Sequence, residues 1–135
     1  MIASFIAHAC RVSIEDSESD EGCVLIVIAD NDEYPGTWIE LQKSLGQDDP
    51  QNNDLGMDSY CVVTDTGATF YGGITACLLA NDTLHLTLSQ EATQLLGVER
   101  YMIRLAISDQ ERELLRQGLE MIFQGDTQAP RMIYQ

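Results

Sequence analysis

The chain has 135 residues, and 22 acidic side chains outweigh 7 basic ones, so its formal net charge is −15 at pH 7. A hydrophobic fraction of 44% is enough for one packed core, and the length fits a single domain. DNA, RNA and anionic membranes are disfavoured as partners, because each phosphate contact needs a basic group and the chain has one lysine. No apolar run approaches the roughly 18 residues of a membrane-spanning helix. We therefore predict neither a nucleic-acid nor a membrane partner.

The N-terminal segment is apolar over Ile2–Ala7 and continues into Ala7-His8-Ala9, which has the small-x-small pattern of a signal-peptide cleavage site. No positive charge precedes this run, and it is too short for a signal peptide. We interpret it as a first strand and expect a cytoplasmic protein. The four cysteines contain no C-x-x-C pair and lie in strand-like runs, which predicts reduced core thiols. They are Cys10, Cys23, Cys61 and Cys77.

The first half of the chain reads as strands separated by acidic turns. Residues 2–14 alternate as one strand, and the continuously apolar residues 23–29 predict a central strand covered on both faces. Residues 37–43 alternate again, with Ile39 on one side and Trp38 and Glu40 on the other. A polar loop is expected over residues 44–55.

The second half reads as a strand meander with two helices. Its predicted strands lie at residues 57–64, 68–80, 83–88 and 101–107. Gly72-Gly73 interrupts the second of these and predicts a bulge or a close backbone approach. Ser89 caps a short helix that stops at Gly97, and Ser108 and Glu111 form a capping box that opens the last helix.

Together these elements predict an α+β domain. It would contain a single, mostly antiparallel sheet of about six or seven strands, with a C-terminal helix packed on one face and a short second helix. The domain is expected to span residues 1–125, with residues 126–135 as a C-terminal tail. Met132, Ile133 and Tyr134 are the tail residues able to dock.

Familiar catalytic motifs are absent from the sequence, including phosphate-binding glycine loops, the G-x-S-x-G nucleophile motif and H-E-x-x-H. His8 and Cys10 would point the same way on one strand, but they supply only two metal ligands. A calcium-loop template started at Asp30 fails at its glycine and bidentate positions. We therefore predict no enzyme activity, no metal and no cofactor.

The acidic residues are concentrated in the first half of the chain. Residues 15–58 contain 13 acids and one base, a net charge of −12, and they include the only tryptophan. An aromatic ring beside acids on the solvent side of a strand is typical of an interface anchor. The residues predicted to bind a partner are Asp30, Asp32, Glu33, Tyr34, Trp38, Glu40, Asp58 and Tyr60.

A negative field of this kind speeds encounter with a cationic protein, and nucleases are common cationic proteins because they hold phosphate. The alternative interpretation is that the acids serve solubility or salt tolerance and that the loop at residues 44–55 covers Trp38.

Two short motifs carry a family resemblance. Leu55-Gly56-Met57-Asp58-Ser59-Tyr60 and Tyr71-Gly72-Gly73-Ile74 are its most specific parts, and Leu96-Gly97-Val98 and Ile122-Phe123 extend it. Over residues 5–123 the chain resembles the immunity protein 10 family of bacterial polymorphic-toxin immunity proteins. This resemblance implies a small cytoplasmic α+β protein, encoded beside a toxin, that binds that toxin and blocks it without catalytic residues. It assigns no toxin contacts.

We thus predict an immunity protein that occludes a cognate toxin domain through an acidic face, with a basic toxin such as a nuclease as its target. It would be a monomer or a homodimer, the latter through an exposed strand edge. The alternatives are a small-molecule or divalent-cation binding domain, or a small enzyme with a pocket near Asp58, Tyr60 and Tyr71.

Overall fold

The computed structural model describes residues 2–15, 23–30, 36–44, 60–123 and 132–134. Its strands are β1 (Ile2–Ala7), β2 (Ala9–Glu15), β3 (Cys23–Ala29), β4 (Trp38–Ser44), β5 (Cys61–Thr64), β6 (Thr69–Tyr71), β7 (Ile74–Ala80), β8 (Thr83–Leu88), β9 (Arg100–Leu105) and β10 (Met132–Tyr134). Its helices are α1 (Gln90–Leu96) and α2 (Asp109–Phe123). Neither helix is long and apolar enough to cross a membrane.

The strands form two five-stranded sheets. Sheet A has the order β1-β9-β8-β7-β10, and sheet B has the order β2-β3-β4-β5-β6. Pairing is antiparallel throughout sheet B, whereas in sheet A the two outermost pairs, β1 with β9 and β7 with β10, are parallel. The predicted α+β class is confirmed, and the prediction of a single sheet is wrong.

The chain changes sheets at two short segments. At His8, β1 of sheet A gives way to β2 of sheet B, and the His8 N–H donates to the Ala29 carbonyl of β3 at 3.1 Å. At Gly72-Gly73 the chain passes back from β6 to β7. Alternation predicted one continuous strand over residues 2–14, because a change of pairing partner leaves the alternation of side chains almost intact.

Gly73 is needed at the second crossing for two reasons. Its φ of +92° lies in the left-handed region, and a Cβ there would come within 2.8 Å of the Ala92 Cβ and of the Phe70 ring. The predicted close backbone approach is confirmed.

The end of the chain also joins sheet A. Met132–Tyr134 pairs in parallel with β7, with Met132 opposite Cys77. This strand is made of the three apolar tail residues that were expected to be able to dock, Met132, Ile133 and Tyr134. The rest of that tail lies outside the described residues.

The helices begin and end at the predicted signals. The Ala92 N–H donates to the Ser89 Oγ at 3.1 Å, and α1 ends at Gly97 with φ 78°. At the start of α2, the Glu111 N–H donates to the Ser108 Oγ at 3.1 Å and the Ser108 N–H donates to the Glu111 carboxylate at 3.3 Å. Both caps satisfy backbone donors that the first turn of a helix leaves open.

One hydrophobic core joins both sheets and the two helices. Helix α2 lies on β2, β3 and β4, and its buried side includes Leu115, Leu119 and Ile122. Gly118 faces sheet B, where an added Cβ would lie 2.9 Å from the Val12 Cγ1. The helix therefore packs close to the inner face of sheet B, and the opposite face of that sheet is turned away from α2.

Candidate functional site

The face of sheet B turned away from α2 carries the predicted tryptophan. Along β4, Ile39 and Leu41 are buried, whereas Trp38 and Glu40 point to the other side and are half-buried. The predicted alternation of this strand is confirmed. We call this surface the Trp38 face. Its residues on β3, β4 and β5 include Cys23, Leu25, Val27, Ala29, Trp38, Glu40, Gln42, Cys61 and Val63.

Glu40 lies at the centre of this face. It stands opposite Val27 of β3 on one side and opposite Val63 of β5 on the other. Neighbouring strands are about 4.8 Å apart, so both valines lie directly beside the carboxylate. Further out, Arg11 of β2 stands opposite Val27, and Tyr71 of β6, 42% exposed, borders the face on the far side. The surface combines a carboxylate with partly exposed apolar side chains and aromatic rings.

Asp30 follows the last residue of β3, at the end of the β3–β4 hairpin. Its N–H donates to the Thr37 carbonyl at 3.0 Å, and its own carbonyl accepts a hydrogen bond from the His8 Nδ1 at 2.9 Å. Asp30 is therefore held by backbone contacts at the same hairpin that carries Trp38 and Glu40. The other predicted acids and one predicted ring lie outside the described residues: Asp32, Glu33, Tyr34 and Asp58.

Tyr60 does not lie at the surface. Its side chain is 1% exposed, its hydroxyl accepts a hydrogen bond from the Ile74 N–H at 2.9 Å, and its ring meets Phe123 edge-on with centroids 5.1 Å apart. The prediction of a surface anchor at Tyr60 does not fit this placement. The sequence contained a signal for this burial that was missed. Side chains two residues apart on a strand lie on the same side, so Tyr60 shares its side with Val62 and Thr64, which both face the core.

Leu25 and Val27 were not predicted as site residues. The continuously apolar run of β3 predicted a strand covered on both faces, but both side chains are half-buried on the Trp38 face. A run of apolar residues cannot distinguish these two cases.

The alternative metal site at His8 and Cys10 is not formed. His8 is exposed at the crossing between sheets, whereas Cys10 is buried. The prediction that the two side chains point the same way is therefore wrong. Within the described ranges, no three His, Cys, Asp or Glu side chains come together. A surface depression of about 390 Å³ lies beside Tyr71, and Glu91 is the one acid among its described lining residues.

The four cysteines are all unpaired and divide into two classes. Burial raises the pKa of both Cys10 and Cys77 to about 12, whereas Cys61 on the Trp38 face is only half-buried. Partial burial and then the Glu40 charge raise the pKa of Cys61 as well. The predicted reduced state fits these free thiols, but Cys23 and Cys61 lie at the margin of the core rather than within it.

These environments predict selective labelling. A thiol reagent reacts with the thiolate, so at mildly alkaline pH Cys10 and Cys77 should stay unmodified in the folded chain, while Cys23 and Cys61 react. Glu40→Gln should speed the reaction of Cys61 by removing a charge that raises its pKa. Peptide mass spectrometry after timed alkylation measures each site. Labelling of Cys77 at the rate of Cys61 would contradict this placement.

Comparison with known proteins identifies a family. A family model described as Immunity protein 10 matches residues 8–113, which is well over half of the chain. No curated protein and no solved structure matches the chain. The matched range includes all of sheet B and the Trp38 face.

Proposed function

Because the chain belongs to the immunity protein 10 family, we propose that it binds a cognate bacterial toxin domain in the producing cell and blocks it by occlusion. The toxin would be a basic domain, of which a nuclease is one class. The family match carries the immunity function. The contact surface is our inference from the residues of the Trp38 face and the acidic segments connected to it.

Charge is the first support for this surface. The sequence from residue 15 to residue 58 has a net charge of −12, and it includes β3, β4 and the segments that join them. A concentrated negative field raises the rate of encounter with a positively charged partner and orients it before contact. The charge of this part of the sequence therefore favours a basic toxin as the partner.

The second support is the mixture of side chains on the Trp38 face. Tryptophan is among the residues that contribute most to binding when a partner covers them, and Val27 and Val63 would exclude water from the neighbouring Glu40. A carboxylate surrounded in this way favours a basic group of the toxin as its partner, since a charge buried without one is costly.

The experiment is co-expression with the product of the neighbouring toxin gene. Trp38→Ala should weaken binding by about 2 kcal/mol, which is about 30-fold in Kd, and should reduce protection of the cell. Glu40→Lys should slow association and weaken its dependence on salt. Leu95→Ala and Glu99→Lys are matched controls, because both residues are exposed outside the Trp38 face and should leave binding unchanged.

A footprint gives a second measurement of the same contact. Bound toxin should slow alkylation of Cys61, which lies on the Trp38 face, relative to the free protein. If the complex forms but Trp38→Ala, Glu40→Lys and the Cys61 footprint all show no change, the toxin binds elsewhere. If the two proteins neither co-purify nor protect the cell, the immunity function itself is rejected.

A further inference from the structure

Strand β1 is an edge strand of sheet A with no charged residue. Its sequence is IASFIA, and two of its large apolar side chains are exposed, Ile2 at 48% and Ile6 at 46%. Among the described strands, β1 pairs only with β9, and hydrogen bonding to β3 begins at His8. Edge strands are ordinarily protected from pairing with another chain by charges, prolines or bulges, and β1 has none of these.

The backbone of β1 is oriented for a second partner. The Ala7 carbonyl accepts a hydrogen bond from the Ala106 N–H at 2.8 Å, so the polar groups of Ala7 face β9. Backbone groups alternate in direction along a strand. Ile2, Ser4 and Ile6 therefore direct their N–H and C=O groups away from β9, toward the open edge.

We propose that β1 pairs antiparallel with β1 of a second copy of this chain, about a two-fold axis at Ser4. In this register Ser4 stands opposite the partner's Ser4, and Ile2 stands opposite the partner's Ile6. Each of these pairs joins residues whose backbone groups face outward, so each pair exchanges two hydrogen bonds. The result is a continuous ten-stranded sheet made of two copies of sheet A.

The side chains complement one another in this register. On the outer face, Ile2 and Ile6 meet the partner's isoleucines in two apolar pairs, and Met102 of β9 continues the patch beside Ser4. On the inner face, Ala3 stands opposite the partner's Phe5, which pairs a small side chain with a large one. Three of the six large apolar residues exposed in the described ranges, Ile2, Ile6 and Met102, thus belong to one junction.

The charges beside β1 favour a second copy of this chain over the basic toxin as its pairing partner. Of the two β9 residues in register with Ile2 and Ile6, Arg104 lies 3.9 Å from the Asp82 carboxylate, whereas Arg100 carries an exposed positive charge that a basic toxin would meet. In the dimer, the arginines of the two copies are separated by three strand spacings, about 14 Å. That separation exceeds the screening length of about 8 Å at physiological salt.

The oligomeric state in solution tests this pairing. Sedimentation velocity of the full chain should give twice the monomer mass of 15.0 kDa. Ser4→Lys places like charges opposite each other at the axis and should weaken the dimer about tenfold or more. His85→Lys is the matched control, because His85 of β8 lies in register with Met102 and Ser4 on the same outer face but two strands from the edge, and it should leave the dimer intact.

A cross-link provides a measurement that does not depend on weakening the protein. Ser4→Cys places two sulfurs across a pair whose Cα atoms would be about 5.5 Å apart, within disulfide range. Oxidation should give a covalent dimer, whereas Thr87→Cys, two strands from the edge, should not. A wild-type mass of one chain at the highest soluble concentration would overturn the proposal, and so would dissociation by His85→Lys but not by Ser4→Lys. Toxin binding by Ser4→Lys should be unchanged, so the outcome is separate from that for the immunity function.

Discussion

Replacing Gly118 by valine should lower the free energy of unfolding by about 3 kcal/mol. A Cβ at this position would lie 2.9 Å from the Val12 Cγ1 and 3.1 Å from the Ile26 Cδ1, closer than normal packing allows. The two further methyl groups of valine have to displace α2 from sheet B or force the strand side chains off their rotamers. Urea denaturation followed by circular dichroism measures the change in midpoint.

The neighbouring residue on α2 separates packing from helix propensity. Gln117 is exposed, so Gln117→Val introduces the same branched side chain into the same helix without a contact to sheet B. Its cost should be about 0.5 kcal/mol, the ordinary propensity difference. Equal stability of Gly118→Val and Gln117→Val would mean that α2 does not approach sheet B this closely.

Replacing Tyr60 by alanine should cost about 3–5 kcal/mol of stability, the range for removing a large buried aromatic ring. The ring is 1% exposed and packs edge-on against Phe123, and its hydroxyl is bonded to both the N–H and the carbonyl of Ile74. The loss therefore combines a cavity with an unpaired buried backbone group. Thermal and urea denaturation should both show the lower stability.

Tyr60→Phe tests the structural role against the contact role that the sequence suggested. It keeps the ring and removes the hydroxyl, so it should cost about 1–3 kcal/mol by leaving the Ile74 N–H without its acceptor. The folded variant should still bind the toxin with unchanged affinity. Lower affinity with unchanged stability would instead place Tyr60 in the interface.

Local signals in the sequence predicted the helices well. Ser89, Gly97 and the Ser108–Glu111 pair each act on the chain within three or four residues, so their hydrogen bonds follow from the sequence alone. Asn81 and Asp82 form the short turn between β7 and β8, and Asn81 has a φ of 48°, which asparagine adopts more readily than most residues.

The division into two sheets could not be predicted in the same way. A strand that leaves one sheet at His8 and joins another keeps its alternation, and only the identity of its distant partner reveals the change. The parallel pairing of β10 with β7 also depends on contacts between residues far apart in sequence. Alternation gives the faces of a strand but leaves its neighbour undetermined.

In the candidate site, too, some features follow from the local sequence and others from tertiary packing. The placement of Trp38 and Glu40 on one side of β4 is a local property, and it was predicted correctly. The partial exposure of Leu25 and the burial of Tyr60 depend on which side of sheet B the helix α2 covers. That choice is made by tertiary packing, through Gly118 and the buried residues around it.

The pairing of β1 with β9 has a consequence for the order in which the fold can be completed. Sheet B joins strands that are consecutive along the chain, so β2 to β6 can pair as soon as they emerge during synthesis. Ile2, in contrast, pairs with Arg100, so β1 has to wait until residues 100–105 have been made. During that interval the uncharged, apolar segment of β1 remains without its partner, which exposes it to aggregation with other chains.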